Sequence, residues 1–229
     1  MRTAAILPVK RFTAAKQRLG ASVADPLRAD LARAMVGDVL SALHRCAALE
    51  RVIVVTNEAS VAAAARYLGA TVVPDTAEDG QSAAVALGIA EALREGFARV
   101  LCIPGDCPAL DPAEIQDLLA DRDDGAAADR PAVVIVPDRH GTGTNGLLLA
   151  PPAAIAPSFG PGSCERHLEL ARAADASCRL ERPTSLLLDI DTGDDLAELR
   201  ERLRHEHERA PRTRAVLGLG GARRRSDAA

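Results

Sequence analysis

Seven short apolar runs, at about 3–9, 51–56, 70–74, 98–104, 132–137, 145–150 and 185–190, alternate with stretches whose apolar residues recur at helical spacing. Strand-length runs separated by helices are the mark of βαβ units, so the sequence predicts an α/β protein with a mostly parallel sheet. From Pro26 to Leu43, Leu27, Leu31, Met35, Val39 and Leu43 recur every four residues while Arg28, Asp30, Arg33 and Asp38 occupy other faces. That spacing predicts an amphipathic helix. Further helices are expected at about 59–68, 80–96, 111–121, 163–174 and 193–208, the last opening with Thr192 and Asp195 in capping-box spacing. The pattern stops near Arg209. Pro211, the glycines from Gly218 to Gly221 and the run Arg223-Arg224-Arg225 predict a disordered basic tail over 209–229, behind a single domain over 1–208.

A chain of 229 residues suits one domain. With no Trp and 2% aromatic residues, the core must be packed with Ala, Leu, Val and Ile. Stacking platforms for bases are scarce and the net charge is −4 with no basic face outside the tail, which argues against nucleic acid as a partner. The five cysteines form no CxxC pair and their number is odd, so they predict free thiols in a reducing cytoplasm. No run approaches the roughly 18 apolar residues of a membrane span and the N-terminus lacks a signal-peptide pattern, so a cytoplasmic protein without a membrane partner is expected.

Chemistry enters with Leu101-Cys102-Ile103-Pro104-Gly105-Asp106-Cys107-Pro108, where an apolar run ends in a carboxylate. In α/β proteins ligands bind beyond the carboxyl ends of the strands, so Asp106 stands where reaction is expected. Asp189 and Asp191 follow a second apolar run at i, i+2 spacing, which on a strand aims both at one face. Three converging carboxylates suit a hard divalent cation, with Asp106, Asp189 and Asp191 as its ligands. Cys102, inside the apolar run, reads as core. His140 and His167 read as surface or capping histidines.

After the first strand, Lys10, Arg11, Lys16 and Arg18 supply four cations in nine residues, a loop that can wrap a polyphosphate. Neither GxxxxGK[ST] nor GxGxxG is present, so it is not a P-loop or a dinucleotide fingerprint. The run Gly141-Thr142-Gly143-Thr144-Asn145-Gly146 serves either a tight hairpin or close approach of a ligand to backbone amides. Phe159-Gly160-Pro161-Gly162-Ser163 precedes a helical pattern, so Ser163 can cap that helix, with or without an anion at its amides.

Together LPVKxxxxAKxRL at 7–19, PGDCPAL at 104–110, GTGTNGLLL at 141–149, FGPGSCERH at 159–167 and LDIDTGDDL at 188–196 resemble the 2-phospho-L-lactate, or phosphoenolpyruvate, guanylyltransferase family of coenzyme F-420 biosynthesis. The resemblance runs in order over about 3–208. It implies a three-layer nucleotidyltransferase fold of the GT-A kind and transfer of GMP from GTP to a small phosphorylated carboxylic acid, phosphoenolpyruvate or 2-phospholactate, with release of pyrophosphate. It further implies one or two Mg2+ ions on Asp106, Asp189 and Asp191, and a product passed to a deazaflavin-modifying transferase. A homodimer is compatible with it. Lys10, Lys16 and Arg18 are expected on the GTP phosphates, with Lys16 and Asp106 acting at the reacting centre. Thr144, Asn145, Gly160 and Ser163 match the family's pocket for the acceptor. Gly80, Gln81 and Ser82, after Asp79, stand where relatives read the base, an N-cap being the other reading. The molybdenum-cofactor guanylyltransferases carry a glycine-rich first loop where this chain has Pro8-Val9-Lys10, which argues against a molybdopterin acceptor. A sugar-phosphate nucleotidyltransferase and a non-catalytic nucleotide-binding regulator are the competing classes.

Overall fold

The first apolar run becomes β1 (Thr3–Val9), a strand whose side chains are buried on both faces. Such a strand must lie inside a sheet covered on both sides. In the computed structural model, which describes residues 1–12, 25–120 and 130–219, it lies between β2 (Arg51–Thr56) and β4 (Arg99–Cys102), parallel to both. β3 (Thr71–Val73) extends the sheet beyond β2, while β6 (Thr144–Ala150) runs antiparallel to β4 and to β5 (Ala132–Pro137). With β7 (Ser177–Leu180) parallel to β5, the seven strands take the order β3-β2-β1-β4-β6-β5-β7.

Alternation along the strands sends side chains to two apolar layers. Ala5, Leu7 and Val9 join a cluster with Leu40, Leu43, Val61 and Ile115, supplied by α1 (Asp25–Arg45), α2 (Ala59–Tyr67) and α4 (Pro112–Leu119). Ala4 and Ile6 join another with Val85, Ile89 and Ala171, supplied by α3 (Gln81–Arg94) and α5 (Ser163–Ala173). The result is a three-layer α/β fold. None of the helices among the described residues is long and apolar enough to cross a membrane.

The fit of α3 on the sheet depends on Gly88, where an added Cβ would stand 2.4 Å from Ile6 Cγ2 and 3.2 Å from Val55 Cγ2. Ile6 is fully buried on β1, inside the sheet between β2 and β4. Gly88→Ala is therefore expected to cost about 1–3 kcal/mol, the usual penalty of overpacking. A denaturant midpoint equal to that of the parent would show that the layer yields.

Two expectations are corrected. The run 185–190 is not a strand: it forms a 3-10 turn at Thr184–Leu186 and an extended segment whose Ile190 N–H donates to the Asp106 carbonyl at 3.1 Å. Leu186, Leu188 and Ile190 are buried there, and an apolar run reports burial rather than pairing. The seventh strand is instead the edge strand β7, whose residues alternate between half-buried and exposed.

The second correction concerns the boundary at 208. Beyond α6 (Gly193–His205), residues 209–219 continue the domain, with α7 (Pro211–Val216) packed on α1. Buried Asp38 of α1 accepts the N–H groups of Arg212 at 3.1 Å and Thr213 at 2.8 Å, satisfying two of the donors that a helix start leaves open. Thr213 is fully buried. The tail from 220 to 229, with its arginine run, lies outside the described residues.

Candidate active site

A cleft of about 780 Å³ opens beyond the carboxyl ends of β1, β3 and β4, and the aspartates singled out in the sequence line it. Asp106 sits in the turn that follows β4. That turn lies close against α1, since a Cβ on Gly105 would come within 2.9 Å of Val36 Cγ2. The backbone bond from Ile190 to the Asp106 carbonyl then brings the 188–191 segment to the same edge.

Asn145 fixes that segment from the other side. Its Nδ2 donates to the Leu186 carbonyl at 2.8 Å and to Asp189 Oδ1 at 3.1 Å. With Nδ2 engaged in this way and only 5% of its surface exposed, Asn145 acts as a clamp on Asp189, and it lines the cleft beside Thr144. The Asp189 carboxyl is pushed above the usual carboxylate range by burial and then by the charge of Asp106, against the pull of the Asn145 bond.

Asp191 reaches the cleft by a different route. Thr192 caps α6 in the expected capping box, its hydroxyl accepting from the Asp195 N–H and Asp195 Oδ2 accepting from the N–H groups of Thr192 and Asp191. Asp195 works at that box, and Arg139 sits 2.6 Å from it. The capping duty thus falls to Thr192 and Asp195, and the Asp191 side chain lines the cleft.

The three carboxylates do not form a cage. Among the described residues no three His, Cys, Asp or Glu side chains are grouped closely enough to hold a metal ion. Mg2+ does not require such a cage, being held commonly by one or two carboxylates together with substrate phosphates and water. The repulsion between Asp106 and Asp189 across a partly buried gap is the kind of strain a divalent cation relieves, so the pair fits that ion, with Asp191 beside it.

Charge points the same way. Among the described residues lining the cleft, Asp75, Asp106, Asp138, Asp189 and Asp191 are acidic and Lys10 is the one cation. A polyphosphate entering that field needs added positive charge. Lys16 and Arg18, expected to supply part of it, lie outside the described residues.

On the β3 side, Gly80 and Gln81 line the cleft where α3 begins, Gly80 serving as N-cap at φ 99°. Ser82 faces elsewhere: its hydroxyl accepts the Phe159 N–H at 2.8 Å and so holds the glycine loop in place. The sequence reading missed Asp75, which is 5% exposed, lines the cleft and accepts the Glu78 N–H at 3.1 Å. It lies just beyond the carboxyl end of β3, after Pro74, as Asp106 lies beyond that of β4.

At the opposite end, the glycine run proves to be a hairpin between β5 and β6. Asp138 closes it by accepting the Thr142 N–H at 2.9 Å, and Gly141 takes φ 78°. The hairpin delivers Thr144 to the cleft. Gly160 and Ser163 line the same end, with Gly160 at φ 110°. Ser163 is not the helix cap: Gly162 is the N-cap of α5, and Ser163 is its first residue, buried, with its N–H donating to the Gly160 carbonyl at 3.0 Å.

Arg166 fastens the loop from behind, donating to the Ser158 hydroxyl at 2.9 Å and to the Ser158 and Phe159 carbonyls at 2.9 and 3.3 Å. His167 is fully buried, not the surface or capping residue expected, and stands 3.0 Å from Thr144 Oγ1. Burial also pushes the Cys102 thiol up to about 12, in keeping with a core residue.

Comparison with known proteins identifies the family. The family model described as "Guanylyl transferase CofC like" matches residues 3–210. A phosphoenolpyruvate guanylyltransferase from Conexibacter woesei is 47% identical over 217 residues, covering 95% of this chain and 96% of its own. One of the same name from Rubrobacter xylanophilus is 42% identical over 197 residues, covering 85% and 92%. Among solved structures, a protein assigned as a nucleotide-diphospho-sugar transferase from Desulfovibrio desulfuricans G20 superposes with a TM-score of 0.73 over 96% of this chain and 95% of its own, at 18% identity. A nucleotidyl transferase from Methanothermobacter gives a TM-score of 0.62 over 90% and 99%, at 18% identity. At such identities the structural matches speak for the fold alone.

Proposed function

Because the chain belongs to the CofC-like guanylyl transferase family, we propose that it transfers GMP from GTP to phosphoenolpyruvate and releases pyrophosphate, in the cytoplasm, as a step of coenzyme F-420 biosynthesis. The observation that carries the reading is one cleft lined together by the Asp106–Asp189 pair, the start of α3 beyond β3, and the loop before α5 with the β5–β6 hairpin. The β3 end suits the nucleotide. Gly80 and Gln81 offer the start of a helix, and the Asp75 carboxylate is suited to accept the adjacent ring N–H and amino hydrogens of guanine, a pair that adenine lacks because its ring N1 carries no hydrogen. The glycine-loop end suits the small acid, with Thr144, Gly160 and Ser163 around its carboxylate.

In this reaction an oxygen of the acceptor phosphate attacks the α-phosphorus of GTP. The new P–O bond forms as the bond to the β-phosphate bridge breaks, and the electron pair leaves on pyrophosphate. The attacking oxygen is already anionic near neutral pH, so no side chain needs to remove a proton. What the protein must do is bring two polyanions together, a problem of positioning and charge. Lys10, with Lys16 and Arg18 of the same loop, supplies positive charge for the triphosphate. Asp106, Asp189 and Asp191 would hold Mg2+, which when bound neutralises phosphate charge and aligns the reacting groups. The product passes to a deazaflavin-modifying transferase.

The test is pyrophosphate release from GTP with phosphoenolpyruvate, 2-phospholactate or 3-phosphoglycerate as acceptor. Release that requires GTP and is fastest with phosphoenolpyruvate supports the reading. Release with ATP equal to that with GTP, or with none of the three acids, contradicts it.

A further inference from the structure

The hydrogen bonds of His167 determine where its protons lie. Its Nε2 is 2.9 Å from the Ser158 N–H, which can only donate, so Nε2 accepts and carries no proton. The ring proton of the neutral imidazole is then on Nδ1, which stands 3.0 Å from Thr144 Oγ1 and donates to it. Thr144 Oγ1 is thereby an acceptor inside the protein, and its own hydroxyl hydrogen is left to donate elsewhere. Thr144 lines the cleft.

We propose that His167 is a positioning residue for the acceptor: it turns the Thr144 hydroxyl into a donor aimed at the acceptor's carboxylate and pins Ser158, the residue from which the chain runs to Gly160 and Ser163. The inference rests on the reading that this end of the cleft takes the acceptor. One buried ring thus joins the two walls of that pocket, the hairpin strand β6 and the loop before α5. The Phe159 ring packs edge-on against it at 5.1 Å and 73°. Burial, and then the charge of Arg166, hold the imidazole down to about 4, so it stays neutral through the physiological range. A doubly protonated ring would set an N–H against the Ser158 N–H.

Two substitutions divide its duties. His167→Gln can keep an acceptor near the Nε2 position but loses the Nδ1 donor, whereas His167→Asn can keep a donor near Nδ1 but loses the partner of Ser158. His167→Gln is expected to raise the KM for the acceptor about tenfold, the worth of one hydrogen bond to a charged group, and to leave the KM for GTP within about twofold. His167→Asn is expected to recover part of that loss. In a Thr144→Val background the hydroxyl to be aimed is gone, so His167→Gln should add little. An equal tenfold rise in that background, or matched rises in both KM values, would overturn the proposal.

Nitrogen NMR of the substrate-free parent protein gives a readout independent of the acceptor's identity. A His167 ring with Nδ1 protonated and Nε2 bare is expected, and the opposite tautomer would overturn the proposal even if phosphoenolpyruvate proves to be the substrate. The bare Nε2 found together with no turnover on phosphoenolpyruvate would instead count against the proposed reaction and leave the hydrogen-bond assignment standing.

Discussion

Replacing Asp189 by asparagine is expected to remove most turnover, on the order of 10²–10³-fold, and at the same time to raise the melting temperature of the metal-free protein. Both effects have one cause. The Asp189 carboxylate is partly buried beside Asp106, and its proton is held more tightly in the fold than in the unfolded chain. For an acid with a raised folded pKa, the stabilising contribution is complete below the unfolded value and is lost as pH rises through the folded value. At neutral pH the ionised group therefore works against the fold, and asparagine, close in size, removes that repulsion. The charge that destabilises the metal-free site is the one that would hold a cation, and the cation in turn would offset the charge of the triphosphate. Melting curves from weakly acidic to neutral pH should fall for the parent relative to the variant. A variant that melts at the parent's temperature at neutral pH and retains magnesium-dependent turnover would remove Asp189 from the reacting centre.

Asn145→Leu is expected to produce the second large effect. It strips the donor shared by the Leu186 carbonyl and Asp189 Oδ1, where both Asn145 and Leu186 are buried. Leaving such groups without a partner costs about 1–3 kcal/mol of stability. Losing a partner that orients a metal-facing carboxylate commonly costs about 10–100-fold in activity or metal affinity, so turnover and magnesium dependence should worsen together. If Asn145 instead touched the acceptor, the variant would raise the acceptor's KM and leave the magnesium requirement unchanged. Titrating both in one preparation distinguishes the two roles.

The separate duties of Thr144 and Asn145 show where sequence reading stops. Both stand in one glycine-rich motif and both line the cleft, but their side-chain partners differ. Successive side chains of a strand point to opposite faces, so Thr144 meets His167 while Asn145 meets Asp189. A motif marks the neighbourhood, and the pleat decides which residue faces which partner. Asp106 was legible because it ends a run of buried strand residues at the edge where α/β proteins bind ligands. Asp75 lies two residues beyond β3 at the same edge, but that strand is three half-buried residues long and its signal is weak.

Asp189 and Asp191 were located for a reason the structure revises. Their common edge comes from the Ile190 bond to Asp106 and the Asn145 clamp, not from a shared strand face. β7 escaped notice because an edge strand reading Ser-Cys-Arg-Leu has no apolar run to show. The place of Ser163 before a helical pattern allows a cap or a contact to the acceptor; Gly162 takes the cap position at φ 71°, and Ser163 lines the cleft. Gly88 looks ordinary in a helix, and only the packing distance to Ile6 shows why it has no side chain.

The central claim is that the α-phosphorus of GTP is the atom transferred to the acid. It is tested most directly by following two labels. With GTP labelled at the α-phosphate, magnesium and phosphoenolpyruvate, label is expected in a new adduct that forms only when both substrates are present. With GTP labelled at the γ-phosphate, label is expected in pyrophosphate. Label from the γ position in the acid or in free phosphate, with none from the α position in an adduct, would make the protein a phosphoryl transferase or a GTPase and contradict the account.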